Sequence, residues 1–443
     1  MVMIEEDKKI LDKIQNTNRN WKQKTRNAYN NAINRYTEFH EKSLTELIKE
    51  ANKDEKNKIN WKNRKLRNRL MTFRAHLYDK YVLRTAKSYF KRVLVIYKDL
   101  EIELHELPPI SDKNTRQNPP IYYEDLPTNK KIKMACDISD PIMTAILLFI
   151  SSSGQAKNET LNLTIKDFIY ATKEYHSVED EKNLTEPEIL YKVLMDLIMF
   201  KKEMYPDFKF KRDKTIKFYR FPCSDEATRA IVNYLITRND KIELDKKLFK
   251  INEKYFHEKF KEINEKLGLE KLDSGYNRFT SHMLRKFHAS NLTKSIEKND
   301  GNYEKGMEED EVNALQGRTK KGTNKSYFFN EYDSLRKRYI QFSKRLRIYS
   351  DEDKDNFKTD EYKELESKLN FELNEKNKII SNIAGENVQL KKDKEELEKV
   401  KSEISKGKER LAKLEKEKNE DLNWLSNLRK KFGDSIVEDL IKK

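Results

Sequence analysis

Two proline pairs, Leu107-Pro108-Pro109 and Asn118-Pro119-Pro120, bracket residues 111–117. A locked φ and a missing amide N–H make each pair incompatible with regular helix and favour extended backbone. The chain is therefore interrupted over 106–124, and the parts on either side must each bury a core of their own. At 443 residues it is also too long for one ordinary domain. The reading is a helical domain over 1–105, a proline-rich linker over 106–124, a second domain over 125–345 and a helical tail over 346–443.

In the first part, apolar residues recur at helical spacing. Tyr29, Ile33, Tyr36 and His40 form one series, with Phe39 alongside; Leu66, Leu70, Phe73 and Leu77 form another; Ala86, Phe90, Val93 and Tyr97 a third. Thr25 and Thr85 stand near helix starts. The polar faces carry Lys and Arg, among them Arg64, Arg67, Arg69, Arg84, Lys87 and Arg92, which suits either phosphate contacts along a duplex or plain solvation.

The second part opens at Asp125-Leu126-Pro127-Thr128, which reads as a helix start. Residues 142–150 are apolar nearly all round and predict a buried helix ending at Ser151-Ser152-Ser153-Gly154. Phe208 to Arg212 alternates as a strand does, 213–217 turns, and Phe218 to Phe221 returns. Ser224 reads as the N-cap of the next helix, with Asp225 and Glu226 in its first turn. The predicted class is mainly α, with one small β-hairpin in this domain.

Beyond 360, heptads place Tyr362, Leu369, Ile383, Leu390, Leu397, Ile404 and Leu411 at a, interrupted by Lys376. At d, Leu365, Ile379, Val400 and Leu414 alternate with Glu372, Glu386, Asp393 and Gly407. That pattern fits a weak coiled coil, an antiparallel hairpin bent near Gly385 or Gly407, or a single solvated helix. Trp424, Leu425, Leu428, Phe432, Ile436 and Leu440 predict a final amphipathic helix.

The net charge is +16, with 38% charged and 36% hydrophobic residues. Such an excess favours a polyanionic partner, DNA or RNA before an anionic membrane. Two distant cysteines, Cys136 and Cys223, exclude a disulfide scaffold or thiolate zinc site and fit a reducing cytosol. The charged start from Glu5 and the absence of a long apolar run predict a soluble intracellular protein. With no nucleotide-binding glycine loop and no paired-metal carboxylate pattern, no cofactor is expected.

The chemistry concentrates in 281–330. His282 and Arg285, three apart, share one helix face; Leu315-Gln316-Gly317-Arg318 follows, and then Tyr327, nine residues past Arg318. A histidine, two arginines and a tyrosine in this order could assemble a site that attacks a phosphodiester. At these residues the chain resembles the tyrosine recombinase (phage integrase) family, which carries H-x-x-R, then L-x-G-H/W, then a tyrosine nine residues on. Arg318 stands where that family has His or Trp. The family's first active-site arginine belongs in a G-x-R-x-x-E turn. Here Gly154 is followed by Gln155-Ala156-Lys157-Asn158-Glu159, with Lys157 nearest to that role and Glu159 at the acidic position.

The resemblance implies a helical core-binding domain, a linker and a catalytic domain, with the tail as an addition. It implies Tyr327 as nucleophile, and Arg285, Arg318 and Lys157 on the phosphate. His282 handles protons, Glu159 braces a basic neighbour, and Lys214 on the hairpin is the general acid, with Lys211 and Lys217 as rivals. The implied partners are double-stranded DNA attachment sites and a homotetramer on them, in the cytoplasm at the nucleoid. The implied outcome is integration or excision of a mobile or viral element. A DNA-binding architectural or regulatory protein of this fold with impaired cleavage is the alternative, and a scaffold built on the tail is a third reading.

Overall fold

The computed structural model describes residues 5–113, 115–177, 184–212, 217–297, 302–318, 332–350, 352–353, 356 and 358–432. It divides into two compact units, Met1–Pro127 with Asn264–Thr280, and Thr128–Ile263 with Ser281–Lys443. No helix among the described residues is long and apolar enough to cross a membrane.

The first unit is built from α1 (Glu5–Asp12), α2 (Gln23–His40), α3 (Leu44–Lys56), α4 (Lys65–Lys80) and α5 (Leu83–Asp99). The three helical series of the sequence are α2, α4 and α5, and their stripes meet in one core through Ile33, Tyr36, Leu70, Phe73, Val93 and Tyr97. Tyr97 donates to the Tyr36 hydroxyl at 3.1 Å, so the two buried phenols satisfy one another. Thr25 and Thr85 occupy third helical positions and cap nothing; Lys22 and Val82 precede these helices without a side-chain cap. The capped helix is α3. Ser43 and Glu46 form a reciprocal box there, and the buried Asp7 carboxylate accepts from the amides of Leu44 and Thr45 at 3.0 and 2.8 Å.

Several basic side chains of this unit are held in ion pairs: Arg64 with Glu55 and Glu103, Arg69 with Glu50, and Lys87 with Asp112. Between 101 and 122 the described residues form neither helix nor strand, as the proline pairs require. The segment is tied to α5 by the Leu83 amide donating to the Arg116 carbonyl at 2.9 Å.

The second unit begins with α6 (Asn129–Asp137), whose N-cap is Thr128. Then come α7 (Pro141–Ser153), α8 (Lys157–Asn162), α9 (Ile165–Ala171) and α10 (Glu186–Met199). The strands β1 (Asp207–Arg212) and β2 (Lys217–Pro222) pair antiparallel, with Phe208 opposite Phe221. After them run α11 (Asp225–Ile236), capped by Ser224, and α12 (Glu253–Lys266). The order continues with α13 (Ser281–Thr293), β3 (Ile296–Glu297), β4 (Tyr303–Glu304), α14 (Glu309–Leu315), α15 (Tyr332–Ser343) and α16 (Asp360–Phe432).

Helix α7 is the axis of the unit. Asp140 caps its start, Pro141 opens its first turn, and every residue from Met143 to Ser153 is buried. Helices α6, α11 and α13 pack against it. Phe149 sets its ring against Phe208 and Phe221 of the hairpin, at 5.4 and 6.2 Å.

Helix α16 runs 73 residues without interruption through Gly385 and Gly407, so the bent antiparallel hairpin is not formed. Its beginning is anchored by Tyr362, which is fully buried, and its contacts are with α10 and α11. The separate amphipathic helix expected from Trp424 is, as far as Phe432, a continuation of α16; Ile436 and Leu440 lie outside the described residues.

Candidate active site

The site forms where α7 ends, α14 ends and α13 passes between them. Gly154 terminates α7 at φ +66°, and a Cβ there would lie 2.5 Å from His288 Nδ1 and 2.7 Å from Gln316 Nε2. Only glycine takes that conformation without strain and leaves room for those groups. The chain then enters α8 through Gln155, whose fully buried amide is a brace. Its Oε1 accepts from the Tyr219 hydroxyl at 2.6 Å, and its Nε2 donates to Leu315 O at 3.1 Å.

At the end of α14, three successive carbonyls face inward, and each accepts from a different element. Leu315 O takes Gln155, Gln316 O takes Arg285 Nη2 at 2.8 Å, and Gly317 O takes Arg212 Nη1 at 2.7 Å. Terminal helix carbonyls lack intrahelical partners and carry the negative end of the peptide dipoles, so guanidinium donors suit them. Gly317 is at φ +61°, and a Cβ there would meet the Tyr219 ring at 2.7 Å.

Arg285 is buried on α13, 4% exposed. Burial first, then the charge of Arg318, push its guanidinium down to about 10, with Glu159 acting in the opposite sense and Arg212 lowering it further. Among the described residues, its buried Nη1 has no hydrogen-bond partner. Arg318 is exposed and donates to Asn313 Oδ1 at 3.3 Å. Burial and the charge of Arg212 lower its pKa too. Glu159 is a buried carboxylate in the group and accepts from Arg212 Nε at 2.7 Å, while Glu309 acts on Arg318 in the raising sense. Around the buried guanidinium of Arg285 the charges of Arg318 and Arg212 are thus set against that of Glu159, and its Nη1 donor has no partner among the described residues.

His282 lies on the solvent side of α13, three residues before Arg285. Partial desolvation, then Lys286, Arg285 and Arg318, lower its pKa below 6.5, so the imidazole is neutral near pH 7. His288 is fully buried, and burial with Arg285 and Arg318 brings it down to about 3. The Gln316 amide donates to its Nδ1 at 3.0 Å, which makes it a structural neutral ring.

The structure brings His282, Arg285, Glu159 and Arg318 into one neighbourhood. It does not bring in Lys157, whose ammonium is engaged by Glu253 Oε1 and, at 2.9 Å, by His257 Nε2 of α12. Tyr327 and Lys214 lie outside the described residues. Of the rival lysines, Lys211 is exposed, over the ring of Phe218.

The residue that sequence reasoning missed is Arg212, the basic neighbour that Glu159 braces. Its signal is parity: Phe208, Phe210 and Arg212 share one face of β1, the less exposed one. An arginine closing an inward apolar stripe needs a buried partner.

Among solved structures, the XerA recombinase matches with 16% identity and a TM-score of 0.28, over 75% of this chain and 98% of that one. The XerH site-specific recombinase, bound to its difH substrate in a pre-cleavage complex, matches with 15% identity and a TM-score of 0.38, over 78% of this chain and 82% of that one. In structure, the chain is similar to site-specific recombinases. No family model matches, and no curated protein matches.

Proposed function

We propose that this chain is a tyrosine-type DNA breaking and rejoining enzyme, a site-specific recombinase. The observation that carries the reading is the buried guanidinium of Arg285, with Nη1 unpartnered among the described residues, beside the charges of Arg318 and Arg212 and the carboxylate of Glu159. An unpaired buried charge of this kind is costly unless an anion completes it. A phosphodiester, with two charged non-bridging oxygens, has the shape and sign to do so. The motifs that deliver Arg285 and Arg318 also place a tyrosine nine residues on.

In this mechanism the Tyr327 oxygen attacks the scissile phosphorus in line. The phosphorus–O5′ bond breaks and a 3′-phosphotyrosyl ester forms. Neutral His282 is suited to accept the phenolic proton, and Lys214 donates one to the leaving 5′ oxygen. Arg285 and Arg318 stabilise the extra charge of the pentavalent phosphorus. The ester retains the bond's free energy, so a 5′ hydroxyl from another strand reverses the step without a cofactor. Two such rounds in a tetramer on paired attachment sites would integrate or excise a mobile or viral element in the cytoplasm, at the nucleoid.

The test is covalent capture. Full-length protein is incubated with a pool of duplexes, randomised in sequence and nicked so that cleavage releases a short fragment and cannot reverse. A detergent-stable protein–DNA adduct, absent in Tyr327→Phe, is expected. An adduct that survives Tyr327→Phe overturns the assignment of the nucleophile. Salt-dependent DNA binding with no adduct overturns the enzyme and leaves an architectural DNA-binding protein.

A further inference from the structure

We propose that Arg212, at the end of the hairpin strand β1, is a catalytic residue that supplies a further guanidinium to the scissile phosphate. The inference rests on the breaking and rejoining function above. The turn between Gly154 and Glu159 contains no arginine, and the cation it does contain, Lys157, is held by Glu253 and His257. Arg212 enters the same neighbourhood from a different element. Two bonds orient it, Nε to Glu159 Oε1 and Nη1 to Gly317 O, both at 2.7 Å. Glu159 is itself 7% exposed, so the guanidinium is fixed at two of its three nitrogens. Its remaining nitrogen, Nη2, makes no hydrogen bond among the described residues.

Arg212 is part-buried, its side chain 18% exposed, and Nη2 is not among the buried atoms without a partner. It keeps a donor, with Arg285 and Arg318 both within range of its charge. A planar guanidinium fixed at two nitrogens presents the third to an anion in a fixed direction, which a flexible lysine cannot reproduce.

The experiment compares wild type, Arg212→Ala and Arg212→Lys on two nicked duplexes. One carries a normal scissile phosphate. The other carries a methylphosphonate there, which removes the charge of one non-bridging oxygen. On the phosphate, Arg212→Ala is expected to cleave about a hundredfold more slowly, with Arg212→Lys in between. On the methylphosphonate, with less charge to neutralise, the gap between Arg212→Ala and wild type narrows to within about tenfold. Equal penalties on both substrates, or an Arg212→Ala rate within about threefold of wild type on phosphate, overturn the proposal. Wild type that forms no adduct on either duplex removes the function it rests on, and the proposal with it.

A different observation carries a second inference: we infer that α16 pairs in parallel with α16 of a second copy. Between 390 and 414 its apolar residues are bare, Leu390, Leu397, Ile404 and Leu411 at a and Val400 and Leu414 at d being 53–64% exposed. In a parallel pair, a g residue faces the e residue five positions on in the other helix. Here Glu396 faces Lys401, Glu403 faces Lys408 and Arg410 faces Glu415, three consecutive pairs of opposite sign. Among the described residues, none of the six makes an ion pair within the chain. Antiparallel pairing would instead set the column of Lys394, Lys401 and Lys408 against itself. Asp393 and Gly407 weaken the d seam, so the dimer should depend on concentration.

Sedimentation of the full-length protein tests this, together with Leu397→Cys under mild oxidation. The native Cys136 and Cys223 are buried and leave little background. A disulfide-linked dimer is expected, since identical a positions meet in a parallel, in-register pair. The double variant Glu396→Lys/Glu403→Lys should weaken association at least about tenfold, and adding Lys401→Glu/Lys408→Glu should restore it. A monomer at all concentrations, or a dimer in which Leu397→Cys does not cross-link, overturns the inference.

Discussion

Glu159→Gln isolates what holds three guanidiniums in one small volume. The change keeps the shape and a carbonyl acceptor for Arg212 Nε, and removes only the negative charge. The pair is largely buried, its side chains 18% and 8% exposed for Arg212 and Glu159. Breaking a buried ion pair from one side costs about 3–5 kcal/mol. Arg212 keeps its bond to Gly317 O and some solvent, which places the expected loss nearer about 2–3 kcal/mol. Tryptophan fluorescence cannot report it, because Trp21 and Trp61 are in the first unit and Trp424 is far along α16. Hydrogen exchange of peptides from α13 and α14 can, since it reads opening free energies locally. The loss should be partly recovered by millimolar sulfate, more than by chloride at equal ionic strength, because a dianion takes the place of the missing charge. Unchanged protection, within about 0.5 kcal/mol, would refute the idea that Glu159 holds the cluster together. So would indifference to the choice of anion.

Three further outcomes follow from the same geometry. Gly317→Ala must displace the Tyr219 ring or the loop and should cost about 2–3 kcal/mol, whereas Gly385→Ala, with open space around it on an exposed helix, should stabilise α16 by about 0.5–1 kcal/mol; urea unfolding followed by circular dichroism separates the two. His288 has a folded pKa of about 3 against 6.5. The unfolded state therefore takes up the proton first, and stability falls as pH drops from 6.5 toward 3, by up to about 1.4 kcal/mol per pH unit. His288→Gln should lose that contribution, as urea midpoints at pH 6 and pH 4 would show. Arg285→Ala should abolish adduct formation while leaving DNA affinity within about tenfold, because binding is spread over many phosphates; gel-shift and adduct assays on the same duplex check both halves.

Local features were legible wherever the cause was local. The stripes of α2, α4 and α5, the caps at Thr128 and Ser224, the buried α7 and the β1–β2 hairpin follow from periodicity and turn chemistry within a few residues. The threonines near α2 and α5 misled because a cap depends on which residue leaves the helix conformation, not on which is nearby. Two glycines in a Lys/Glu-rich tail suggested a bend, yet helix propensity over 73 residues outweighs a cost of about 1 kcal/mol at each.

The family resemblance, carried by the short contiguous motifs H-x-x-R, L-x-G-R and the turn after Gly154, was enough to name Arg285, Arg318 and Glu159 as members of one charged group. It could not say where Lys157 would turn or that Arg212 would arrive. The first is decided by Glu253 and His257, about a hundred positions away; the second by a strand whose last side chain meets Glu159 and Gly317 only once α7, α14 and the hairpin are packed. A long flexible cation takes its direction from whichever acceptors folding places within reach, and that information exists only in three dimensions.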